Sequence, residues 1–571
     1  MRLACRPAVA LLFTVFAGCT SGDLSTAPAS SSIASSAPAP RLLGAASVTS
    51  TATVNGYRSN FTIARDASGT VTVTDTVGAN GTQQFAGATL IRFADRHVSF
   101  DADGVPGQAY RVYRAALNRT PDQAGLGVQI NALQNGMSLV QLANAFMESA
   151  EFKTLYGANP SNTTLVNLFY NNVLHRTPKQ FEIDFWVNII QSGQQSPAEV
   201  LKNFSESAEN KANAATETSN GIEYVAVRQA GDPIVPKTSS YENKAAAGEA
   251  LGPQALPAEV RRGNAVAFAD FFQDGTYSMV THSLAYDPQD PSTATQYGRI
   301  HFWRRVNGQW MDDTARLLTD TTGCLHPRKA VVADFNQSGR PSIFFACHGF
   351  DAPPFPGEQA RLLLAQPDGT YKNILLPFSG FLHSAAAADI DGDGYPDVLL
   401  TGEATTGGPV ILMNNRDGTF RLDASRLPAS TKGQPIFTAE FFDVSGRGKY
   451  DVFLGGHEQS GTWPATILPN DGAGSFASTK AVILPGVPGY GFPTDAVFKD
   501  GNLYLARTID DLSKFYGGAA IQKVNYATLS TATLHTHTGA YASRDVWINW
   551  IIPYNGTITP MNAAFGFSVP Q

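Results

Sequence analysis

Hydrophobic and polar positions follow two different rhythms along the 571 residues of this chain. Between residues 106 and 213 the apolar side chains recur about every three or four positions, which is the period of an amphipathic helix. From residue 255 to residue 571, short apolar runs alternate instead with turns rich in Gly, Asp and Pro, a pattern typical of β-strands. The sequence therefore predicts a mainly β C-terminal region that follows a small all-α domain.

Two further segments flank the helical domain. Residues 48–105 are expected to form a short β unit, because two pairs of alternating stretches occur there. These pairs are 61–63 with 71–74, and 90–93 with 97–100. Residues 214–254 lack a clear period, so a linker of extended chain is expected there.

The turn between the apolar runs Ala385–Ala388 and Val398–Leu400 is strongly acidic. Carboxylates fill its positions 1, 3, 5 and 9, and Gly394 stands at position 6. Hard oxygen ligands at alternate positions suit Ca²⁺, which takes about six to eight oxygens, whereas the Glu that an EF-hand needs at position 12 is absent. The alternatives are a calcium-clamped hairpin turn and a solvated acidic turn without metal. The predicted calcium ligands are Asp389, Asp391, Asp393, Asp397 and the backbone carbonyl of Tyr395.

The same frame recurs along the C-terminal region. The leading aspartates are spaced by 64, 55, 54 and 52 residues, and they are Asp270, Asp334, Asp389, Asp443 and, in a degenerate copy ending at Gly501, Asp495. A repeat of about 50 residues with two strands per copy is typical of β-propeller blades. We therefore expect a propeller of about six blades, with seven as the alternative, over residues 255–571. The second copy predicts a further metal site at Asp334, Asn336 and Ser338.

These turns resemble the FG-GAP/VCBS repeats, the calcium-bearing blades of integrin-like propellers. The resemblance implies calcium as the cofactor and is most specific at Asp389–Asp397. Two copies depart from the pattern, since Phe272 stands at a ligand position in the first and Arg447 in the fourth. An arginine supplies its own positive charge and is expected to replace the ion.

The helical domain contains an internal duplication. The tripeptide Arg119-Thr120-Pro121 recurs at 176–178, and the tripeptide Ser149-Ala150-Glu151 recurs at 207–209, at nearly the same offset. The duplicated unit resembles the bacterial family called domain of unknown function 4214, which occurs in secreted and surface proteins. That family has no established chemistry, so the resemblance implies a fold and no function.

The N-terminus has the pattern of an export signal. Residues 1–18 combine basic positions with an apolar run, and they end in small residues before Cys19. This arrangement resembles the lipobox of bacterial lipoproteins, in which Cys19 becomes the lipidated N-terminus; ordinary cleavage near Ala17 is the alternative. Thr20 in place of Asp implies an outer-membrane lipoprotein, facing the periplasm or the cell surface. Residues 19–47 are rich in Ser, Ala and Pro and are expected to be a disordered tether.

Composition and charge narrow the class of partner. Charged residues make up only 16% of the chain, and the formal net charge is −7. A negative chain lacks the cationic surface that nucleic acid requires, so we expect no nucleic-acid partner. The expected partners are the membrane, through the N-terminal lipid, and a glycan or protein ligand.

Cys324 and Cys347 flank the first strand pair of the second repeat, in an oxidising compartment. Folding of that hairpin brings the two cysteines towards the same end, which predicts a disulfide. The alternative is a zinc site that adds His326 and His348 to the two cysteines.

Several polar residues share one register in the repeats. The same offset from the leading aspartate holds His348, Glu403 and His457 in the second, third and fourth repeats, and His282 stands slightly earlier in the first. His326 and His383 precede the first strands of their repeats, and Asp351 lies in the proline-rich loop 348–358. All are expected at one rim, roughly 15–20 Å from the acidic turns. The alternative is that they are unrelated loop residues, some of which cap strands.

Two functions remain open at this stage. The first is a surface-anchored lipoprotein whose propeller is a binding or adhesion module for a glycan or protein, with the ligand site on the histidine-bearing rim or, alternatively, on the helical domain. The second is a metal-assisted hydrolase that uses the same rim. The sequence contains no nucleophile elbow, Walker loop, HExxH motif or dinucleotide fingerprint, which favours the binding module.

Overall fold

The computed structural model describes ten stretches of the chain. They are residues 51–76, 81–251, 265–287, 289–402, 408–459, 463–511, 517–538, 550–554, 557–561 and 569–570. The described residues all belong to one compact unit, which lies within residues 47–571. The expectations for the signal, the tether, Cys19 and Glu403 lie outside the described residues.

The short β unit contains both strand pairs that the alternation predicts. Its strands are β1 (Thr51–Thr53), β2 (Phe61–Arg65), β3 (Val71–Asp75), β4 (Thr82–Phe85), β5 (Leu90–Arg92) and β6 (His97–Ser99). Strands β2, β3 and β4 form an antiparallel sheet, while β5 pairs with β6 and runs parallel to β1. Alternate side chains such as Val71 and Val73 are fully buried between the two sheets, as period-two patterning requires.

Eight helices follow, and capping residues in the sequence set where most of them begin. They are α1 (Val105–Leu117), α2 (Gln123–Gln134), α3 (Leu139–Glu148), α4 (Ala150–Tyr156), α5 (Asn162–Val173), α6 (Gln180–Gln191), α7 (Pro197–Ser205) and α8 (Ala208–Thr218). Ser138 and Ser196 form capping boxes at the starts of α3 and α7. After α8, strand β7 (Ile222–Tyr224) pairs with β6 and so ties the helical region to the β unit.

The duplicated tripeptide has a structural role. Arg119 Nε donates to Glu151 at 2.6 Å, and Arg176 Nε donates to Glu209 at 2.7 Å, so each arginine clamps the start of the helix that carries its glutamate. Each guanidinium also lies over a tyrosine ring, which favours the same placement. These rings are those of Tyr113 and Tyr170. The two copies therefore share one arginine-centred contact.

The expectation of extended chain over residues 214–254 is wrong, because helix α9 (Ser240–Leu251) lies within it. This helix packs against the first strands of several sheets of the C-terminal region. Its polar residues are buried among those strands: Asn243 Nδ2 donates to the carbonyl of Val332 at 2.9 Å, and Ser240 accepts from the amide of Ala387. A helix enclosed on several sides by polar and small contacts has no single apolar face, which is why its period is hidden in the sequence.

The C-terminal region forms a succession of antiparallel sheets, each made of consecutive strands. Sheet 1 is β8 (Val266–Ala269), β9 (Ser278–His282), β10 (Ile300–Val306) and β11 (Gln309–Asp312), followed by helix α10 (Thr314–Leu317). Sheet 2 is β12 (Pro327–Ala333), β13 (Ser342–Cys347), β14 (Glu358–Ala365) and β15 (Tyr371–Gly380). Sheet 3 is β16 (Leu382–Ala388), β17 (Asp397–Gly402), β18 (Val410–Asn414) and β19 (Phe420–Asp423).

Three more sheets complete the part of this region that is described. Sheet 4 is β20 (Ile436–Phe442), β21 (Asp451–Gly456), β22 (Thr466–Leu468) and β23 (Val482–Ile483). Sheet 5 is β24 (Phe492–Lys499), β25 (Asn502–Thr508), β26 (Gly518–Asn525) and β27 (Thr531–Thr538). Sheet 6 has the three strands β28 (Trp550–Tyr554), β29 (Thr557–Met561) and β30 (Val569–Pro570).

Successive sheets pack face to face. The first strand of each sheet contacts the first strand of the next, from β8 through β12, β16, β20 and β24 to β28. An apolar cluster fills each space between neighbouring sheets, such as the one that joins Phe344 of sheet 2 to Leu400 of sheet 3. The acidic turns join the first and second strands and therefore share one end of this arrangement.

The expected degenerate fifth turn is not at Asp495. This residue lies inside β24, opposite Ala506, and the strands β24 and β25 are joined by Asp500 and Gly501 alone. Its carboxylate receives a hydrogen bond from Lys244 of α9 at 2.9 Å. The pairing with this lysine explains why an aspartate stands at position 495. The spacing of the repeats alone would place a turn there.

Candidate functional site

The third turn, between β16 and β17, is held closed by its first aspartate. Asp389 accepts hydrogen bonds from the amides of Gly392, at 2.8 Å, and Gly394, at 2.9 Å. Gly394 has a φ of +89°, and a Cβ there would lie 2.3 Å from Nε2 of Gln337. The positive φ favours glycine at position 6, and a larger residue there would also have to displace the side chain of Gln337.

Three carboxylates of this turn converge. Ligand oxygens of Asp389, Asp391 and Asp393 all lie within 4.8 Å of one another. Asp397 begins the next strand, and its Oδ1 accepts from the amide of Asn414 at 2.8 Å, while its buried Oδ2 has no hydrogen-bond partner. Burial, and then the charges of Asp391 and Asp393, raise the pKa of Asp397 to about 8. A cation among these groups would satisfy the unpaired oxygen and relieve the repulsion, so the residues fit Ca²⁺.

Two arginines outside the third turn partly balance its negative charge. Arg416 Nε donates to Asp393 Oδ2 at 3.0 Å, and a nitrogen of Arg426 lies 3.9 Å from Asp391 Oδ2. The other oxygen of each aspartate accepts a backbone amide within the turn. A carboxylate has about four lone-pair sites, so both aspartates can still supply a ligand. Neither arginine pairs with Asp397.

The fourth turn carries its cation as a side chain. Arg447 Nε donates to Ser445 at 2.7 Å, and its Nη2 reaches Asp451 Oδ1 at 3.4 Å. The amide of Gly448 donates to Asp443, as the sixth residue does in the third turn. The guanidinium thus lies among the positions that correspond to the predicted calcium ligands of the third turn.

The first turn is balanced in a similar way. Asp274, at its fifth position, receives a hydrogen bond from Arg304 Nε at 3.1 Å. The same arginine lies over the ring of Phe272, as does Arg316. The aromatic residue at a ligand position is therefore part of a cationic contact.

The second turn is closed differently. Asp334 accepts from the amides of Ser338 and Gly339, and the hydroxyl of Tyr57, from the short β unit, is a further hydrogen-bond partner. Asn336 instead donates to the carbonyl of Ala365 at 3.1 Å. Burial raises the pKa of Asp334 to about 6, above the ordinary value of 3.8. Asn336 therefore points to a neighbouring strand, and the set Asp334, Asn336 and Ser338 offers a single carboxylate.

The residues of the predicted rim lie at the other end of the sheets. His326 directly precedes β12, His348 directly follows β13, His383 is the second residue of β16, and His457 directly follows β21. The strand from His383 to Ala388 rises over five residue steps, about 17 Å, which separates this end from the acidic turns.

Four of these side chains come together, and we call His326, His348, His383 and Asp351 the histidine cluster. Ligand atoms of His326, His348 and Asp351 all lie within 4.8 Å of one another. The Nε2 atoms of His348 and His383 are 3.3 Å apart. The cluster thus joins sheet 2, the loop after β13 and the start of sheet 3.

The cluster is a mainly uncharged, buried site. His348 is 1% exposed and His326 is 5% exposed, so neither presents a surface to a macromolecule. Burial, followed by the positive charge of Arg328, holds the pKa of His348 and His383 well below the ordinary value of 6.5. Burial raises the pKa of Asp351, and Arg328 opposes that effect. The imidazoles of His348 and His383 are therefore neutral at neutral pH, the state in which histidine binds metals.

The other two histidines are placed apart. His457 pairs with Asp510, and the ring of Phe437 lies between it and His383. His282 accepts from the amide of Cys324 at 2.6 Å through Nε2, and burial lowers its pKa to about 3. His282 is a structural residue, and the register groups it with the cluster only because strands of equal length end together.

Sequence reasoning missed the aromatic residues around the cluster. Phe381 packs on His348 and His383, and it also contacts Phe355, which is 42% exposed in the proline-rich loop. Tyr286 hydrogen-bonds to Nδ1 of His326. The sequence did contain a signal for Phe381 and Phe437. Relative to the leading aspartates of their repeats, they stand at the positions that His326 and His383 occupy in the preceding repeats.

Cys324 and Cys347 are bonded to each other, with Cα atoms 5.6 Å apart. Their sulfurs are thereby unavailable to a metal, which separates the cysteines from the neighbouring histidines. Glu358 lies close by and accepts from the amide of Leu325.

None of the helices in the described ranges has the length and apolar character needed to cross a membrane.

Two family models match parts of this chain. The model described as "Domain of unknown function (DUF4214)" matches residues 109–155 and 143–214, which span most of the helical domain. The model described as "FG-GAP-like repeat" matches residues 389–454, from the first aspartate of the third turn into β21. Both resemblances drawn from the sequence are confirmed over these residues. No curated protein matches the sequence.

Solved structures share only a distant likeness. The computationally designed Ika8 protein has 11% identity and a TM-score of 0.30, over 53% of this chain and 69% of that one. A GH74 xyloglucanase from Xanthomonas campestris has 14% identity and a TM-score of 0.34, over 54% of this chain and 43% of that one. The rhamnogalacturonan lyase PL11 from Bacillus licheniformis has 14% identity and a TM-score of 0.27, over 61% and 63%. At these scores the likeness supports no conclusion about fold or function, and the chain spans less than two thirds of the two enzymes.

Proposed function

We propose that the protein is a binding module built on a calcium-stabilised β-propeller. It is anchored to the outer membrane by a lipid on Cys19 and binds a glycan or protein ligand. The proposal rests mainly on two observations that concern the same turn. The FG-GAP-like match begins at Asp389, and the same turn brings three carboxylates together beside an unpaired buried oxygen of Asp397.

The packing of the sheets supports the propeller. Each first strand contacts the next, and α9 contacts the first strands of sheets 1, 2, 3, 4 and 6, as a helix in a central channel would. Calcium would be held by Asp389, Asp391, Asp393, Asp397 and the carbonyl of Tyr395. The ion would neutralise the carboxylates and fix the turn, which stiffens the sheet that presents the ligand face.

The ligand face is best placed at the end of the sheets that carries the histidine cluster. Phe355 is exposed there, on the loop 349–357, next to the partly exposed Asp351. An exposed aromatic ring on a loop is the kind of group that binds sugars and protein surfaces. His348 is buried and would support this loop without contacting the ligand.

The proposal is tested on glycan and protein arrays probed with the purified protein in calcium. Phe355→Ala should weaken binding at least tenfold, and Phe181→Ala should leave it unchanged. Phe181 is a matched control because it is 66% exposed on the helical domain. The reverse result would place the ligand site on the helices, and binding that neither substitution alters would contradict the proposed face.

The anchor has a separate test. Cys19→Ser should release the protein from the membrane fraction or stop its processing, because the sulfur is the site of acylation. Incorporation of labelled palmitate checks this directly. Equal labelling of the variant and the parent protein would contradict the lipid anchor.

A further inference from the structure

We propose that the histidine cluster binds one divalent transition-metal ion of the zinc class, with His326, His348, His383 and Asp351 as its ligands. The site is distinct from the calcium turn, since it lies at the other end of the sheets and offers nitrogen as well as oxygen. It also differs from the cysteine–histidine site considered from the sequence, because the cysteines are bonded to each other.

One distance within the cluster fits a tetrahedral site. The Nε2 atoms of His348 and His383 are 3.3 Å apart. Two nitrogens bound about 2.0–2.1 Å from a tetrahedral zinc ion lie about 3.3–3.4 Å from each other. Ligand atoms of His326, His348 and Asp351 lie within 4.8 Å of one another, and Nδ1 of His326 is 3.9 Å from Oδ2 of Asp351. Side-chain movements of His326 and Asp351 would therefore be needed to bring all four groups onto one ion.

The hydrogen bonds around the cluster favour the required tautomers. Nδ1 of His348 lies 3.4 Å from the carbonyl oxygen of Gly349, and a carbonyl can only accept, so the proton is on Nδ1. Nε2 of His348 then has a lone pair that points towards His383. Nδ1 of His326 hydrogen-bonds to the hydroxyl of Tyr286 and is also the nitrogen that faces Asp351, 3.9 Å from Oδ2, so Tyr286 would orient this imidazole towards the carboxylate. Metal-bound histidines are commonly oriented by such outer partners.

The donor set selects the class of metal. Three imidazoles and one carboxylate match the nitrogen and oxygen ligands of zinc, whereas calcium and magnesium take oxygens. A bound ion would join the start of β12, the end of β13, the loop 349–357 and the start of β16. It would therefore fix the loop that carries Phe355 against two neighbouring sheets.

A competing explanation is a hydrogen bond between the two imidazoles, in which Nε2 of His383 donates to Nε2 of His348. That bond accounts for the contact between His348 and His383, while His326 would keep its hydrogen bond with Tyr286 and its contact with Asp351, 3.9 Å away. The two explanations differ in whether the protein binds a metal, so they can be separated directly.

The test is zinc content and affinity of the purified full chain. Mass spectrometry of the metal content and calorimetric titration should find one zinc ion per chain, removed by 1,10-phenanthroline and not replaced by calcium. Cobalt(II) in its place should give the intense visible absorption of a tetrahedral site. Asp351→Asn, at a partly exposed position, and His383→Gln should each weaken zinc binding at least tenfold.

His301→Gln is the matched control, because His301 and Asp312 form a comparable pair outside the cluster, 2.8 Å apart. This variant should bind zinc as the parent does, and so should Asp391→Asn in the calcium turn. Absence of stoichiometric zinc binding would overturn the proposal. So would an affinity that Asp351→Asn leaves unchanged while circular dichroism shows the fold intact.

Discussion

At the scale of single residues, buried carboxylates give the acidic turns their different characters. Asp397 and Asp451 are 2% and 1% exposed, and burial raises the pKa of both. The buried Oδ2 of each has no hydrogen-bond partner, but Asp451 has the guanidinium of Arg447 at its Oδ1, while Asp397 faces two further carboxylates. A proton or a metal ion can satisfy Asp397, and we propose that calcium takes this place in the folded protein. Turns with the same sequence frame thus differ in how the negative charge of the buried aspartate is balanced.

Asp334 provides a pH-dependence that can be measured. Its pKa is raised to about 6 in the folded protein from an ordinary value of 3.8, so the folded state holds a proton that the unfolded state has lost. Its contribution is therefore most favourable below about pH 4 and is lost as the pH rises through 6. We expect the stability of the parent protein, relative to Asp334→Asn, to fall between pH 4 and pH 7 by on the order of 2 kcal/mol.

Urea denaturation of both proteins at several pH values, in the presence of a chelator, measures this difference. Asp334→Asn loses hydrogen bonds at every pH, so the readout is the slope with pH and not the absolute stability. Parallel pH profiles for the two proteins would show that Asp334 titrates normally in the folded state.

At the scale of elements, the fourth turn is a natural counterpart of the third. Both have an aspartate that binds the amide of the sixth residue, and both begin the next strand with a buried aspartate. Among the candidate ligand positions they differ at the third, which is Asp391 or Ser445, and at the fifth, which is Asp393 or Arg447. The exchange at the fifth position replaces a candidate oxygen ligand by an internal cation.

Arg447→Asp should therefore convert the fourth turn into a calcium-responsive one. Without calcium the variant should be less stable than the parent by about 1–3 kcal/mol, because Asp451 loses its charged partner. Calcium should restore part of that loss, whereas Arg447→Ala should be destabilised without such recovery. Thermal denaturation with and without calcium measures both effects, and equal responses of the two variants would contradict the interpretation of Arg447.

The sequence predicted elements well where their determinants are local. The third turn, the arginine in the fourth and the helical duplication all follow from residues close together in the chain. The histidine cluster was only partly predictable, because the register groups His282 and His457 with it, while Tyr286 and Phe381 come from neighbouring sheets. Helix α9 was missed, since its contacts are set by strands far away in the sequence.

At the scale of the whole molecule, a buried ionic contact joins α9 to the sheets. Lys244 of α9 lies 2.9 Å from Asp495 of sheet 5 and 3.5 Å from Glu440 of sheet 4. Both carboxylates are 2% exposed or less. The contact explains why the sequence places an aspartate inside β24, and it makes the helix part of the fold and not a linker.

Lys244→Met should lower the free energy of unfolding by about 1–3 kcal/mol, because Asp495 loses its closest cation while Glu440 keeps Lys329 Nζ at 3.4 Å. Lys499→Met is the control, since Lys499 and Glu249 form a more exposed pair at 3.6 Å. That control should cost less than about 1 kcal/mol. Denaturant titration of the two variants measures the contrast, and similar losses in both would argue against a central role for α9.

We propose that calcium bound at Asp389–Asp397 stabilises the fold. The melting temperature of the protein, measured as a function of free calcium, tests this proposal. A ligand bound only by the native state adds about 2.7 kcal/mol at a hundredfold excess over its Kd. The parent protein should therefore melt at a higher temperature in calcium than in a chelator, and added calcium should reverse the effect of the chelator. Asp391→Asn should show no such response. A parent melting temperature that calcium and chelator leave unchanged would contradict the account.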